Sequence, residues 1–332
     1  MSGEGALELR ILSGRDVAAL LPMDACIDLM GRTMAAVSEG RARFPPRAVM
    51  PASPGGFMAW MPGSLDDPAT FGVKLLSLFP GNPAAGVSSH LGLVVLFEPE
   101  HGRPVALVDA AELTAVRTAA VSGLATRLLA RPGAGDLAIL GAGEQAASHL
   151  AAMLAVRPIR RIRVWSRTEA SARAFAETQA ARHGVAIEVA ASAREAVDGA
   201  DLVCTVTASR APVLAGAWIA PGAHLNVVGA SRPDATEIDT EAVVRARYFV
   251  DCRASTELEA GDWLRAQEAG AVGPDHIAGE IGEVANGAKP GRVSDAEITL
   301  FRSLGVAAED LAAAAYVLAA ARARGIGRTA EI

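Results

Sequence analysis

The stretch "LAILGAGEQAASHL", residues 137–150, decides how the second half of this chain is expected to fold. Its apolar opening predicts a buried strand, and the residues after the glycines predict a helix. Between them, Gly141-x-Gly143-x-x-Ala146 matches the dinucleotide-binding fingerprint with alanine in its last place. The first glycine permits a tight turn, the second lets the backbone approach a pyrophosphate, and the small third residue lets the helix pack on the sheet. A plain glycine turn is the alternative, and the strand–loop–helix context favours the nucleotide site.

The same alternation continues along the chain. From residue 136, short runs rich in β-branched residues alternate with helix-like segments, with strands predicted at 136–140, 161–165, 187–190, 202–207, 224–230 and 248–251, and helices at 144–156, 168–182, 192–198 and 239–246. This order is typical of an α/β, Rossmann-type doubly wound parallel sheet. The first 110 residues are richer in Gly and Pro and contain strand-like runs at 71–79 and 91–97, which predict an α+β domain with antiparallel strands.

The composition excludes several classes of protein. Of 332 residues, 51% are hydrophobic, which is enough for a large core and predicts two domains. Apolar runs are interrupted before about 18 residues, so we expect no membrane-spanning helix, and "MSGEGALELR" does not have the pattern of a secretory signal. A net charge of −6 argues against a nucleic-acid partner. Three widely spaced cysteines, and histidines without metal-ligand spacing, predict a reduced, cytoplasmic protein with no metal site.

The end of the second predicted strand bears on the choice of cofactor. An NAD site usually has Asp or Glu there, about 20 residues after the glycines, to bind the ribose 2′-hydroxyl. This chain has "VWSRT", with Ser166, Arg167 and Thr168 in that place. A guanidinium and two hydroxyls suit a 2′-phosphate, so we expect NADPH, with NADH as the alternative cofactor. The competing interpretation is that Arg167 is a solvated surface residue.

Three cations lie in apolar surroundings. Lysine occurs only as Lys74 and Lys289, against 29 arginines (31 basic residues minus 2), so a lysine within "FGVKLLSLF" stands out. Helical spacing places Arg117 on the face of Leu113 and Val121, and Arg47 follows the stiff segment "FPP". A charge in an apolar stripe is costly unless it is paired. The three cations therefore either converge on an anionic ligand such as a carboxylate or each meet a structural acid.

Over nearly its whole length, the chain resembles a known family, the ornithine cyclodeaminase/mu-crystallin family. The resemblance depends on the segments "VSSHLGLVVLFEPEHGRPVALVDAAELTAVRTAAVSGLAT", "LGAGEQAASH", "RVWSRT", "PGAHLNVVGASRPDATEID", "GEIGEV…G…KPGR" and "FRSLGVAAEDLAAA". "SRPD…E" and "W-x-R-T" are most similar to the mu-crystallin branch, whose activity is NADPH-dependent ketimine reduction. The resemblance implies a homodimer and a last helix, 306–324, that returns to the first domain. We therefore expect a substrate-binding and dimerisation domain of residues 1–113 with 306–332, and an NAD(P)-binding Rossmann domain of residues 114–305.

The resemblance also assigns candidate site residues. It implies that Arg47, Lys74 and Arg117 bind the substrate and are catalytic, and that Ser89, His90 and Ser303 lie beside the nicotinamide. The full set of expected cofactor-binding residues is Ser89, His90, Arg117, Thr118, Gly141, Ala142, Gly143, Glu144, Gln145, Ser166, Arg167, Thr168, Thr207, Val227 and Ser303.

One departure from the family pattern separates the candidate reactions. Cyclodeaminases carry an Asp two residues after the Gly of the "VG" motif, whereas this chain reads Gly229-Ala230-Ser231. The resemblance therefore implies NAD(P)H-dependent reduction of a small imine that bears a carboxylate, such as pyrroline- or piperideine-2-carboxylate, to an amino acid. The alternatives are ornithine cyclodeaminase or alanine dehydrogenase-like activity, and an NADPH-dependent binding protein without catalysis.

Overall fold

The computed structural model describes residues 8–53 and 55–331, which form two compact units. One unit extends to Arg117 and resumes at Val306, and the other is Thr118–Gly305. The first unit begins with β1 (Glu8–Leu12), α1 (Gly14–Leu20), α2 (Met23–Ser38), β2 (Ala42–Arg43), β3 (Ala48–Ser53), β4 (Gly56–Asp66), β5 (Ala69–Leu78), β6 (His90–Phe97), β7 (Pro104–Asp109) and the first half of α3 (Ala110–Leu129).

The second unit contains the predicted alternation of strands and helices. Its elements are the rest of α3, β8 (Asp136–Leu140), α4 (Glu144–Val156), β9 (Arg161–Trp165), α5 (Glu169–His183), β10 (Glu188–Val189), α6 (Ala193–Val197), β11 (Leu202–Thr205), β12 (His224–Val227), α7 (Thr240–Arg245), β13 (Ala246–Val250), α8 (Arg253–Glu259), α9 (Gly261–Glu268), β14 (Ile277–Glu280), α10 (Ile281–Ala285) and β15 (Ile298–Arg302). The chain then returns to the first unit with α11 (Ala307–Arg324) and β16 (Arg328–Glu331).

The sheet of the second unit has the order β10-β9-β8-β11-β12-β15-β13-β14, and all its strand pairs are parallel. From β8 the chain first adds strands on one side of the sheet, β9 and β10, and then on the other side, beginning with β11. The carboxyl ends of β8 and β11 therefore form the topological switch point, where such sheets bind their ligands. Helices cover both faces of a parallel sheet, so its strands are buried on both sides. Short, continuous apolar runs rich in β-branched residues suit such strands. The Rossmann-type fold predicted from the sequence is confirmed.

The sheet of the first unit has the order β16-β1-β7-β6-β5-β4-β2, with β3 also paired to β4. It is antiparallel except for the β1–β7 pair. Side chains alternate across it, so Lys74 shares a face with its cross-strand partners Met61 and Val94, and all three are buried. Helix α11 packs on β4, β5 and β6 and on α2, which makes this face the core of the unit.

One central strand has no counterpart among the predicted elements. β15 lies between β12 and β13, and its sequence "ITLFR" ends in a charged residue. Arg302 is nevertheless fully buried, because Asp262 Oδ1 accepts from its Nε at 2.7 Å and the carbonyls of Val227 and Ala230 accept from its terminal nitrogens. Its charge is thus satisfied by distant residues that the local pattern does not reveal.

Among the residues that the structure describes, no helix is long and apolar enough to cross a membrane.

Candidate active site

The two glycines of the loop between β8 and α4 differ in backbone conformation and in surrounding space. Gly141 has φ +124°, and a Cβ at this position would lie 2.7 Å from the carbonyl oxygen of Val206. Gly143 has φ −97°, and a Cβ there would meet nothing within 4 Å. The backbone therefore requires the first glycine, whereas the second leaves open space at the N-terminus of a 13-residue helix.

Three of the predicted cofactor residues carry buried polar atoms without partners. Thr118 Oγ1, Gln145 Oε1 and Ser303 Oγ make no hydrogen bond within the described part of the chain. A buried polar atom without a partner costs about 1–3 kcal/mol, so such atoms mark places where a ligand supplies the missing bond. Together with the open space at Gly143, these residues could hold a dinucleotide.

Glu237 orders the adjacent edge of the sheet and was not predicted from the sequence. Its fully buried carboxylate accepts hydrogen bonds from the backbone N–H of Thr207 at 2.5 Å, from that of Gly229 at 2.6 Å and from the hydroxyl of Thr205 at 2.9 Å. Burial raises the pKa of Glu237, although these hydrogen bonds act in the opposite direction. It thereby fixes the segments that follow β11 and β12, including the predicted residue Thr207. In the sequence, the feature that could have indicated this role is the acid within "ATEID".

Asp251 has the same role at the loop that carries Ser303. Its fully buried carboxylate accepts from the backbone N–H groups of Leu304 and Gly305 at 2.5 and 2.6 Å. Burial raises the pKa of Asp251 against these hydrogen bonds. A carboxylate held in this way restricts the position of Ser303, whose side-chain oxygen has no partner in the described chain.

The segment that follows β9 places the predicted Ser166, Arg167 and Thr168 at one strand end. Thr168 is the N-cap of α5, and Arg167 is exposed. Among the described residues Arg167 has no hydrogen-bond or ion-pair partner, whereas Arg173 on α5 is paired with Glu169. Ala142 and Glu144 flank Gly143, and Val227 ends β12, so these predicted residues also lie at carboxyl ends of the parallel strands.

The first unit brings Lys74 and Arg117 into one buried ionic cluster. Lys74 is 2% exposed and Arg117 is 4% exposed. The Nζ of Lys74 donates to both carboxylate oxygens of Asp310 at 3.0 Å, and Nε of Arg117 donates to Oδ1 of the same residue at 2.9 Å. Arg117 Nη1 also donates to Oε2 of Glu309 at 2.5 Å. The two cations that the sequence singled out therefore lie together, with Asp310 and Glu309 as counter-ions.

The surroundings lower the pKa of one cation of this cluster and raise the pKa of the other. Burial and the charge of Arg117 lower the pKa of Lys74 to about 8, against the raising effect of Asp310; Arg47 lowers it further. Burial by itself would lower the pKa of Arg117, but Asp310 and Glu309 raise it overall. The pKa of Lys74 is thus lowered toward neutral pH, whereas that of Arg117 is raised further above it.

Asp310 and Glu309 were not among the predicted site residues, because the prediction of the site was based on the cations alone. Both acids are fully buried on α11, a helix that is otherwise rich in alanine. Two adjacent acids in an apolar helix are expensive to bury unless cations meet them. That pattern in "VAAEDLAAA" was the available signal.

The remaining predicted residues of the first unit lie near its strand ends. Arg47 precedes β3 and is half-buried, and its charge acts on Lys74. Ser89 and His90 lie at the start of β6, where Ser89 Oγ is 2.8 Å from His90 Nδ1.

One group of side chains with metal-binding potential occurs among the described residues, namely Glu98, Glu100 and His101 at the β6–β7 turn. The carboxylate of Glu98 already accepts hydrogen bonds from the backbone N–H groups of Glu100, His101 and Arg103. These contacts order the turn, and the turn carries none of the residues predicted for the site.

Comparisons with known proteins agree with this geometry. The sequence profile of the Ornithine cyclodeaminase/mu-crystallin family matches residues 8–325. The chain belongs to this family. The ketimine reductase mu-crystallin of Mus musculus, one member by name, is 41% identical over 280 residues, which cover 84% of this chain and 85% of that protein.

Solved structures show the same similarity to the ornithine cyclodeaminase/mu-crystallin family. The Delta(1)-pyrroline-2-carboxylate reductase of Thermococcus litoralis, in complex with NADH and L-proline, has a TM-score of 0.93 and 36% identity, and the match covers 96% of this chain and 99% of that one. An archaeal alanine dehydrogenase dimer with bound NAD has a TM-score of 0.91 and 32% identity, with 98% and 99% covered. The family resemblance is confirmed, and the chain is an NAD(P)H-dependent oxidoreductase that acts on carbon–nitrogen bonds.

Proposed function

We propose that this protein reduces a small imine bearing a carboxylate, such as the cyclic ketimines pyrroline-2-carboxylate or piperideine-2-carboxylate, to the corresponding amino acid. The observation that carries the proposal is the buried cluster in which Lys74 and Arg117 lie together. A cluster of this kind offers a fixed guanidinium for a carboxylate and a titratable ammonium for an imine nitrogen. Relatives that are named as ketimine and pyrroline-2-carboxylate reductases support the same substrate class.

The chain's own residues have separate tasks in this proposal. Arg117 binds the substrate carboxylate through Nη2, since Asp310 and Glu309 already accept from its Nε and Nη1. Arg47 supplies a second guanidinium, whose planar fork matches two carboxylate oxygens. The ammonium of Lys74 orients the substrate and supplies the proton that the imine nitrogen needs when it becomes an amine. When bound, NADPH supplies the hydride. Fixed geometry of the binding groups provides much of the rate advantage over solution.

The preference for NADPH over NADH is part of the proposal. It is supported by Arg167, which lies at the end of β9 without a partner in the described chain and has no carboxylate beside it in the "VWSRT" segment. Such a guanidinium is available for a 2′-phosphate. The family's solved structures include complexes with NADH and NAD, so NADH stays the alternative.

Two other reactions are alternatives within the same family. Cyclodeaminase activity on ornithine is disfavoured by Ser231, which stands where cyclodeaminases carry an Asp. Amination of a 2-oxo acid has support from the alanine dehydrogenase neighbour. Both would use the same carboxylate-binding cations, so the substrate distinguishes them.

A homodimer is proposed on the outer face of the first sheet. There the cross-strand partners Trp60, Leu75 and Leu93 form an apolar row, and Leu93 is 44% exposed. Met58 and Leu91 extend it, and both are exposed. Exposed apolar side chains that lie next to one another are typical of an interaction surface, and the alanine dehydrogenase neighbour is a dimer. We assign dimerisation and substrate binding to residues 1–113 with 306–332, and NAD(P) binding to residues 114–305. Arg117 is the exception within the second range, because it belongs to the first compact unit and adds its side chain to the substrate-binding cations.

A cytoplasmic location is proposed on the cysteines. Cys26, Cys204 and Cys252 are all free thiols, and burial raises the pKa of Cys26 and Cys204 to about 12. Unpaired, unreactive thiols are typical of proteins in a reducing compartment.

The experiment that tests the function is steady-state oxidation of NADPH with a panel of substrates. We expect turnover with cyclic ketimine carboxylates, and little with pyruvate and ammonia. Ornithine with NAD+ should give little or no proline. Robust proline formation would favour the cyclodeaminase alternative, and tight NADPH binding without turnover of any imine would favour the non-catalytic binding protein.

A further inference from the structure

The two acids of the buried cluster contact its cations unequally. Asp310 accepts from Lys74 through both carboxylate oxygens and from Arg117 through Oδ1. Glu309 accepts from Arg117 Nη1, and its other oxygen accepts from the backbone N–H of Val306. Within the described chain, Lys74 has no hydrogen-bond partner besides Asp310. One carboxylate thus joins the two cations, while its neighbour on α11 contacts the guanidinium.

The surroundings of Lys74 would otherwise favour its neutral form. The charged groups around it come from three parts of the chain: Arg117 from α3, Arg47 from the segment before β3, and Glu309 and Asp310 from α11. On α2, Cys26 is a thiol whose pKa is raised by burial and by Glu309, so it is uncharged. The cross-strand neighbours of Lys74 on β4 and β6 are apolar. Asp310 is therefore the acid that directly opposes the burial of the ammonium and its repulsion by two guanidinium groups.

We propose that Asp310 is a positioning residue, which joins Lys74 to Arg117 and keeps the Lys74 ammonium charged, whereas Glu309 holds Arg117. The inference rests on the proposed function insofar as Lys74 acts on the substrate. It predicts a division of work between two adjacent acids. Neutralising Asp310 should change the protonation of Lys74, and neutralising Glu309 should change the binding of the substrate carboxylate.

The composition of the chain makes the first half of this inference directly measurable. Lys74 and Lys289 are its only lysines. Lysine isotopically labelled at Cε and Nζ therefore gives two side-chain NMR signals, and Lys289→Arg assigns them while keeping a cation beside Glu283. Titration of the free enzyme reports the pKa of Lys74 without substrate or turnover.

The comparison is between Asp310→Asn and Glu309→Gln, two isosteric changes at adjacent, fully buried acids. We expect Asp310→Asn to lower the pKa of Lys74 by about one unit or more, the scale of removing an adjacent opposite charge. Glu309→Gln should lower it by less than half as much. An unchanged pKa in Asp310→Asn, or equal shifts in the two variants, would overturn the proposal.

Asp310→Ser serves as a second neutral variant if Asp310→Asn does not fold. It is smaller and leaves room for a water molecule beside Lys74, and the same shift is expected.

Kinetics supply the second readout. In Asp310→Asn the alkaline limb of the kcat/KM profile should move to lower pH by the shift that NMR records, with activity partly recovered at the acidic end. Glu309→Gln should raise KM for the imine without moving that limb. If activity is lower in both variants but the alkaline limb of the kcat/KM profile does not move in either, the two acids have a merely structural role, and the proposal is overturned. If Lys74 titrates as expected but Lys74→Met keeps full turnover, the proposed role of Lys74 fails while its relation to Asp310 stands.

Discussion

Lys74 and Asp310 are 236 positions apart in the chain, yet the Nζ of Lys74 lies 3.0 Å from both carboxylate oxygens of Asp310. Both side chains are buried, and this contact joins a strand of the first sheet to the last long helix. The pairing explains how a chain that almost avoids lysine keeps one in an apolar core. It also brings the ammonium of Lys74 and the guanidinium of Arg117 onto the same carboxylate.

Lys74→Met tests the catalytic role of this lysine. We expect kcat/KM on the best imine to fall by about 100-fold, since losing about 2.7 kcal/mol of transition-state stabilisation costs that much. Asp310 keeps Arg117 as a partner, so the loss of stability should be smaller than the ~3–5 kcal/mol of a fully broken buried pair. Lys289→Met, which removes the partly exposed lysine, is the control and should keep normal turnover. Near-normal turnover of Lys74→Met would remove Lys74 from the site.

The lowered pKa of Lys74 predicts how activity depends on pH. Because the proton donor must be charged, kcat/KM should decline as pH rises through about 8. Stability should change in the opposite sense. The unfolded chain, with an ordinary lysine pKa, binds more protons than the folded chain above that pH, so the free energy of unfolding rises as Lys74 loses its proton. A pH–rate profile that is flat across this range, with an intact fold, would contradict the assignment.

Gly141→Ala and Gly143→Ala separate the two tasks of the glycine loop. Gly141→Ala should destabilise the fold, because φ is +124° and the new Cβ would collide with the carbonyl of Val206. Gly143→Ala should fold normally, since its φ is ordinary and a Cβ meets no protein atom within 4 Å. We expect it to bind NADPH at least about tenfold more weakly, a loss of about 1.4 kcal/mol. Thermal unfolding and fluorescence titration with NADPH measure both effects, and unchanged NADPH affinity in Gly143→Ala would show that the loop is only a turn.

Arg167→Ala tests the choice of cofactor. It should weaken NADPH binding by about 1–3 kcal/mol, the scale of a hydrogen bond to a charged group, and leave NADH affinity nearly unchanged. Arg173→Ala is the control, because this exposed arginine lies on the adjacent helix and is already paired with Glu169. Equal affinity of the parent protein for NADH and NADPH would defeat the prediction.

Leu93→Glu tests the proposed dimer surface. A charge in the outer apolar face should shift the protein toward monomers, because burying an unpaired carboxylate is costly. Val244→Glu is a matched control, since Val244 is 45% exposed against 44% for Leu93 and lies in the second unit. Sedimentation measures the result. A monomeric parent, or a Leu93→Glu protein that stays dimeric, would argue against this surface.

Local features of the site could be predicted from the sequence. Gly141 and Gly143 act through their own backbone and their immediate neighbours, so the strand, loop and helix from 136 to 156 follow from the pattern of residues. The helix bounds in this region agree with the predicted ones for the same reason. Lys74 and Arg117 could be singled out because a charge among apolar residues is conspicuous in any periodic pattern.

What only the tertiary structure decided is which residues satisfy those charges. Arg117 contacts Glu309 and Asp310, which are 192 and 193 positions away in the chain. Arg302 is buried through contacts with Asp262 and with the carbonyls of β12 and the segment after it. The sequence by itself determined the parallel fold, the glycine turn and the unusual cations, because these depend on short-range patterns. The partners of those cations were decided by the packing of distant elements, since a buried charge takes its counter-ion from whichever element the fold brings within hydrogen-bonding distance.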